Sequence, residues 1–492
     1  MDPLALLSKK LTLRRVKRFG NVGSSPANLG EEVTMDTVAT YIEANEQRYV
    51  EELIEYVKIP SVSTKVEATA DMERACRFLV ERMREAGLEN VEVLPTSGHA
   101  AVYGDWLHAP GMPTVLIYGH YDVQPAEPLE LWDSPPFDPK IREGQLYGRG
   151  TVDNKGQHYL HLMAAESFLK SGQRLPVNVK FIIEGEEEIG SPNFSEILDQ
   201  HKELLRADAL VISDSPMLDR GIPSICYGLR GLAYYEVEVT AAGQDLHSGS
   251  FGGAVANPLT VLSEIIAKLH DARGRVAIPG FYKDVLTIKK KERAALRKLP
   301  FSQKNFLQTT GAVRPSGEAG YTTPERLWAR PTLEINGLWG GYTGEGAKTV
   351  LPAKAHAKIS CRLVPNQDPK KITRLLERHL KKLTPNTVRL EFRVHSLGKP
   401  WVAPYTHPFF QAAQKALKKG FGRRAVFIRE GGSIPLIPDI QDTFNIPVIL
   451  MGFGLPDENA HAPNERIDLS NFQNGILSVA YFLKELGELG KV

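Results

Sequence analysis

Three short apolar runs constrain this chain more than any other feature. Residues 114–118, 177–183 and 209–212 are rich in Val, Ile and Leu, the mark of strands buried on both faces. A helical stretch, 157–171, lies between the first two. Strands alternating with helices specify an α/β layer structure, here a mixed sheet flanked by helices. Each run is followed closely by a polar motif: Gly119-His120-Tyr121-Asp122, then Glu186-Glu187-Glu188, then Ser213-Asp214-Ser215. Strand ends hold loops over a rigid sheet, which is where α/β proteins place their ligands.

At 492 residues the chain is too long for one ordinary core, and two domains are expected. Residues 36–57 read as a helix capped by Asp36 and stopped by Pro60, and residues 71–86 as a second ended by Gly87. From about residue 222 the pattern changes. Strand 233–240 precedes helix 257–270, with Leu259, Leu262, Ile266 and Leu269 in register. Strands 332–335 and 354–363 follow, then a helix opened by Asp368-Pro369 with Ile372, Leu375, Leu376, Leu380 and Leu383 on one stripe, then strand 387–394. The order β-α-β-β-α-β predicts a ferredoxin-like α/β sandwich. After about residue 400 helices and a strand, 448–451, resume. The expected organisation is a discontinuous catalytic domain, 35–221 with 400–492, into which 222–399 is inserted. Within the insert, 275–330 is rich in Lys and Arg, and Lys289-Lys290-Lys291 reads as a solvated face.

Composition excludes several classes. A formal net charge of +2 gives no reason to expect a nucleic-acid partner. No run approaches the roughly 18–20 apolar residues that a membrane span needs. Cys76, Cys226 and Cys361 are odd in number and far apart, so they read as buried thiols in a reducing, cytoplasmic setting. Residues 1–34 form a basic tail with Lys9, Lys10, Arg14, Arg15, Lys17 and Arg18 and no acid between 3 and 30. It reads as non-native sequence upstream of a true start at Met35, as a disordered tail, or as an organelle-targeting leader.

The motifs gain meaning together. His120 and Asp122 are two apart, so alternation puts them on one face, and a carboxylate there suits the spare N–H of a metal-bound imidazole. Asp153 sits between Gly150 and Gly156, whose backbone freedom lets a carboxylate reach two ions. Glu186-Glu187-Glu188 packs three repelling carboxylates into one turn, which cations would relieve. One Glu could coordinate while its neighbour acts as base on an activated water. Asp214 ends the third strand and His461 sits in Asn459-Ala460-His461-Ala462-Pro463. Singly each has a plain reading as a surface His, an Asx turn or an acidic turn. Jointly, three carboxylates and two imidazoles suit two divalent ions, each with one His, one terminal carboxylate and a shared Asp. Nitrogen and oxygen ligands without Cys favour Zn²⁺, with Mn²⁺ or Co²⁺ as alternatives.

On these residues the chain resembles the M20 metallopeptidases from about residue 36 onward. The spans 118–122, 146–156, 184–191 and 227–231, with Asp245-Leu246-His247-Ser248-Gly249, look most like the cytosolic, carnosinase-like dipeptidases. The resemblance implies that His120 and Asp214 hold one ion, Glu188 and His461 the other, and that Asp153 bridges them through a cis Asp153–Asn154 peptide. It implies Glu187 as general base and Asp122 as the group orienting His120. It casts the inserted sandwich as a lid and dimerisation domain of a homodimer, with His247 acting across the interface on the oxyanion of the intermediate. Arg362 resembles the arginine that grips the substrate carboxylate, and Thr349 and Ser433 resemble further substrate contacts. Dipeptide hydrolysis is the expected activity. An N-acyl-amino-acid deacylase or desuccinylase using the same ions is the alternative.

Overall fold

The computed structural model describes residues 34–434 and 436–490. The readings made for the basic tail lie outside the described residues, apart from Thr34. The chain divides into two compact units. The first comprises the described residues up to Tyr227 with Pro404–Phe427 and Asp439 onward; the second comprises Gly228–Ala403 with Ile428–Pro438.

The first unit is built on a mixed sheet. Its strands lie in the order Glu89–Leu94, Ala101–Trp106, Asn178–Glu184, Thr114–His120, Ala209–Ile212, Val448–Leu450 and Ser224–Leu229. The three apolar runs and Val448–Leu450 pair in parallel, whereas Ala101–Trp106 runs antiparallel to Asn178–Glu184. Neighbouring parallel strands of this register, with His120 opposite Glu184, end side by side. Helix Gly156–Lys170 is buried on nearly every side, as expected of a helix without a polar face. It packs against helix Leu469–Leu489 and helix Thr69–Ala86.

One expected helix is two. Residues 36–57 form Met35–Ala44 and Glu46–Val57, and the break falls at Asn45, with φ −113° and ψ 6°. The Asn45 side chain donates to the Tyr41 carbonyl at 2.8 Å and accepts from Arg48 Nε at 3.0 Å. Such local bonds compete with the helical ladder. Thr34, not Asp36, occupies the cap position, and Asp36 lies in the first turn. Helix Thr69–Ala86 does end at Gly87, at φ 99°.

The second unit holds a four-stranded antiparallel sheet in the order Thr332–Gly340, Lys354–Leu363, Gly231–Thr240, Arg389–Gly398. Helices Pro258–Ala267 and Pro369–Leu383 cover it, burying Leu262, Ile265, Ile372, Leu376 and Leu380 against Val237, Ile359 and Cys361. Full burial of each such aliphatic side chain contributes about 1.5–3 kcal/mol. Both helices start as the sequence dictates: Asn257 accepts from Leu259 N–H at 3.0 Å, and Asp368 from Lys371 N–H at 2.6 Å. This is the β-α-β-β-α-β sandwich read from the sequence. The basic stretch within it carries helices Lys290–Arg297, Gln303–Thr310 and Thr323–Ala329, and Lys289, Lys290 and Lys291 are exposed.

Candidate metal centre

The loops at the ends of the parallel strands converge. His120 is the last residue of its strand, Glu187 and Glu188 follow Asn178–Glu184 by one turn, and Asp214 stands two residues beyond Ile212. Asp153 enters from the irregular turn Thr151–Lys155 with φ −124° and ψ 94°, and its bond to Asn154 is cis. His461 arrives on a loop in which Asn459, His461 and Asn464 all take left-handed φ, between 57° and 61°. Non-glycine residues in that region are strained, and such strain gathers at functional sites.

Two triads of ligand atoms result. His120, Asp153 and Asp214 form one and Asp153, Glu188 and His461 the other, each with atoms mutually within 4.8 Å. His120 Nε2 lies 3.3 Å from Asp153 Oδ1 and 3.9 Å from Asp214 Oδ2. His461 Nε2 lies 2.9 Å from Asp153 Oδ2 and 3.1 Å from Glu188 Oε2. Donors held tetrahedrally about 2.0–2.1 Å from a zinc ion stand about 3.3–3.4 Å apart, so these separations fit cation sites. The two oxygens of Asp153 face different imidazoles, the arrangement a bridging carboxylate requires. His120 Nε2 and Glu188 Oε1 are buried without a hydrogen-bond partner, and such orphans in a native interior call for a missing partner. The residues present fit two divalent ions.

Around the triads a set of polar groups holds the ligands in place. His120 Nδ1 lies 3.1 Å from the Asp122 carbonyl and 3.3 Å from Asp122 Oδ1, so its proton belongs on Nδ1 and Nε2 offers a lone pair. Asp122 in turn accepts from Ser63 Oγ at 2.7 Å and from the N–H groups of Glu187 and Glu188 at 3.2 and 3.1 Å. One carboxylate thus fixes both the imidazole and the turn that carries the candidate base. Glu187 Oε2 sits 4.0 Å from His120 Nε2. Glu186 points elsewhere, accepting from His99 N–H and Asn193 Nδ2, which splits the acidic triplet into one structural and two site residues.

The electrostatics describe a site short of positive charge. Burial pushes Glu187 well above the ordinary carboxylate range, and Asp214, Glu188 and Asp153 push it further against the pull of His120. Glu188 is raised by burial and Asp153, with His461 opposing. Hydrogen bonds to Asp153 and Glu188 lift His461 to about 11. Burial works to discharge His120, but the nearby carboxylates of Asp122, Asp153 and Asp214 hold it well above its usual value. Divalent ions at the triads would supply that positive charge instead, since ligating imidazoles must be neutral and binding releases protons.

Three positioning residues carry no local mark in the sequence. Glu465 is fully buried, pairs with Arg149 at 2.6 Å, and accepts from the N–H groups of Gly150, Val152 and Asp153 at 2.9, 3.0 and 3.1 Å. Asn154 donates to the Ser213 carbonyl at 2.7 Å and Asp214 Oδ1 at 3.1 Å, and Gln124 donates to Glu188 Oε2 at 2.8 Å. Only their proximity in sequence to Asp153 and Asp122 could have flagged Asn154 and Gln124, and Glu465 had only the nearness of His461.

The model of peptidase family M20/M25/M40 matches residues 116–485. This chain belongs to that family. The M20 chain is 33% identical over 476 residues to the Cys-Gly metallodipeptidase DUG1 of Saccharomyces cerevisiae, covering 92% of this chain and 98% of that protein. It superimposes on human carnosine dipeptidase 1 with a TM-score of 0.82 at 29% identity, over 93% of this chain and 99% of the other. An M20 family metallo-carboxypeptidase from Sulfolobus solfataricus matches with a TM-score of 0.81 at 33% identity, over 89% and 99% of the two chains.

Four further residues singled out in this M20 chain lie in the second unit and form two pairs. His247 and Thr349 meet where strand Leu246–His247 pairs with Val350–Leu351 and Ser248 N–H donates to the Thr349 carbonyl at 3.0 Å. His247 is exposed, and its Nδ1 accepts from Gly249 N–H at 3.0 Å and Ser250 N–H at 3.3 Å. Its ring proton therefore belongs on Nε2, which is left as a donor. Arg362 Nη1 donates to Ser433 Oγ at 3.2 Å.

Proposed function

We propose that the protein is a metal-dependent dipeptidase of the M20 family. The observation that carries this reading is the pair of ligand triads sharing Asp153, set in a chain akin to dipeptidases along nearly its whole length. His120 and Asp214 would hold one ion, Glu188 and His461 the other, with Asp153 between them. Nitrogen and oxygen donors favour Zn²⁺, with Mn²⁺ or Co²⁺ as substitutes. When bound, the ions supply a Lewis acid for the scissile carbonyl and lower the pKa of the attacking water.

The chain's own groups do the rest. Glu187 takes a proton from that water and later hands it to the leaving amine, a cycle suited to a carboxylate already raised by burial. Asp122 keeps His120 in the tautomer that presents Nε2. In a homodimer, His247 of one subunit would donate from Nε2 to the oxyanion formed in the other. Arg362, supported by Ser433, would grip the substrate carboxylate, with Thr349 a further contact beside His247. The three buried free thiols accord with a reducing, cytoplasmic setting. No helix among the described residues is long and apolar enough to cross a membrane.

The test is a panel of dipeptides set beside N-acetyl and N-succinyl amino acids, with added Zn²⁺ or Mn²⁺. Metal-dependent turnover of dipeptides supports the reading. Turnover confined to the N-acyl compounds replaces it with a deacylase on the same ions.

A further inference from the structure

The second unit contains a cavity of about 890 Å³, within the range of ligand sites. Arg230, Arg273, Arg326, Arg330, Arg362 and His270 line it, against only Glu318 and Glu334. Glu318 is already taken, binding Arg330 through both oxygens at 2.7 and 2.8 Å. Arg326 reaches only the carbonyls of Glu318 and Ser316. Among the described residues no carboxylate lies within ion-pair distance of Arg230 or Arg362.

Arg230 is the unusual member. Its Nε donates to the Gly431 carbonyl at 3.2 Å, and its own carbonyl accepts from Ser433 Oγ at 2.6 Å. Ser433 is the same hydroxyl that Arg362 contacts. A side chain at Gly431 would meet Arg230 Nη2 at 2.8 Å, so the glycine leaves room for the guanidinium. Burial and the neighbouring Arg362 charge bring Arg230 down to about 10, against the opposing pull of Glu430 and Glu334. Two guanidiniums lining one cavity, both held partly away from water, are costly without an anion between them. A simple dipeptide brings one carboxylate, which Arg362 takes, and leaves Arg230 with the more distant Glu430 and Glu334 but no carboxylate in direct contact.

We propose that Arg230 and Arg362 form an anion-binding couple that reads a second carboxylate on the substrate, so that the protein favours dipeptides ending in Asp or Glu. This rests on the dipeptidase reading above. Planar forks suit bidentate recognition of carboxylates, and the remaining unpaired arginines reinforce the sign of the cavity.

The experiment compares the metal-loaded protein on Ala-Glu against Ala-Gln and on Ala-Asp against Ala-Asn, each pair nearly equal in shape and different in charge. The acid should lead in kcat/KM by about ten- to a hundredfold, the range of one charge-assisted hydrogen bond. In R230Q the ratio should fall toward one, through a higher KM for Ala-Glu, and R230K should lie between. Equal rates on the two members of each pair in the wild type overturn the proposal without any variant. So does a preference that survives R230Q. If no dipeptide is cleaved, the dipeptidase reading falls. Calorimetric binding of free glutamate against glutamine to the same protein, with and without R230Q, then still decides the role of Arg230.

Discussion

Glu187 and its neighbour Glu188 share a turn and part in role through a few ångströms. Glu188 faces His461 at 3.1 Å, whereas Glu187 completes neither triad. Glu187→Ala should therefore leave metal content unchanged and lower kcat by at least the 10²–10⁴-fold typical of a lost general base. Elemental analysis beside turnover checks this, and a near-normal rate refutes the role. A second residue gives a pH signature. His161 is fully buried, and its Nε2 lies 2.7 Å from Ser213 Oγ. That hydroxyl already donates to the Met451 carbonyl at 2.6 Å, so His161 donates from Nε2, and its Nδ1 has no partner. Burial depresses its pKa to about 3. The native state thus binds this proton less readily than the unfolded chain, so stability is intact above about 6.5 and lost as pH falls from there towards 3, at up to about 1.4 kcal/mol per pH unit. His161→Leu should flatten that decline in urea midpoints between pH 7 and 5. A variant that tracks the wild type would remove His161 from the account. His120, Asp214 and the glutamates were legible because polar residues directly after buried strands announce themselves. Glu465 was not: an isolated Glu in a loop says nothing of amide groups more than 300 positions upstream.

At the level of elements, the legible pieces were those whose environment matches their pattern. Ala209–Ile212 and Lys354–Leu363 were read to the residue, because two-sided burial in one and clean alternation in the other leave few alternatives. Strand Ala101–Trp106 escaped notice since it carries Gly104 and Asp105 inside a buried edge-side strand. Asp105 is satisfied by Tyr103 Oη at 2.7 Å and Asn90 Nδ2 at 2.9 Å, partners that periodicity does not reveal. The junction of strand Thr114–His120 with helix Gly156–Lys170 also admits a test. A methyl group on Gly119 would meet His158 Cβ at 2.3 Å and Asn154 Oδ1 at 3.1 Å. Gly119→Ala should cost about 1–3 kcal/mol through overpacking. It should also weaken metal binding, because Asn154 bonds Asp214. Thermal melts with a metal titration read both effects. A variant as stable and as tight as the wild type would show that the contact relaxes freely.

For the whole molecule, the ligand triads lie in one unit and His247, Thr349, Arg362 and Ser433 in the other. The reading of His247 as an oxyanion donor across a dimer makes a separable prediction. His247→Ala should sediment as the wild type does, keep its metal, and lose about 10²–10³ in kcat, as removal of an oxyanion donor does elsewhere. Monomers with full activity would end that reading. The insertion of one unit into the other has a temporal meaning too. A ribosome that has released everything up to Phe427 has delivered His120, Asp153, Glu188 and Asp214, but neither His461 nor the carboxylate that gathers the Gly150–Asp153 amides. If His461 is the ligand proposed above, hydrolytic competence would be withheld from the nascent chain until that segment joins the rest, and a truncated translation product would be inert instead of unruly.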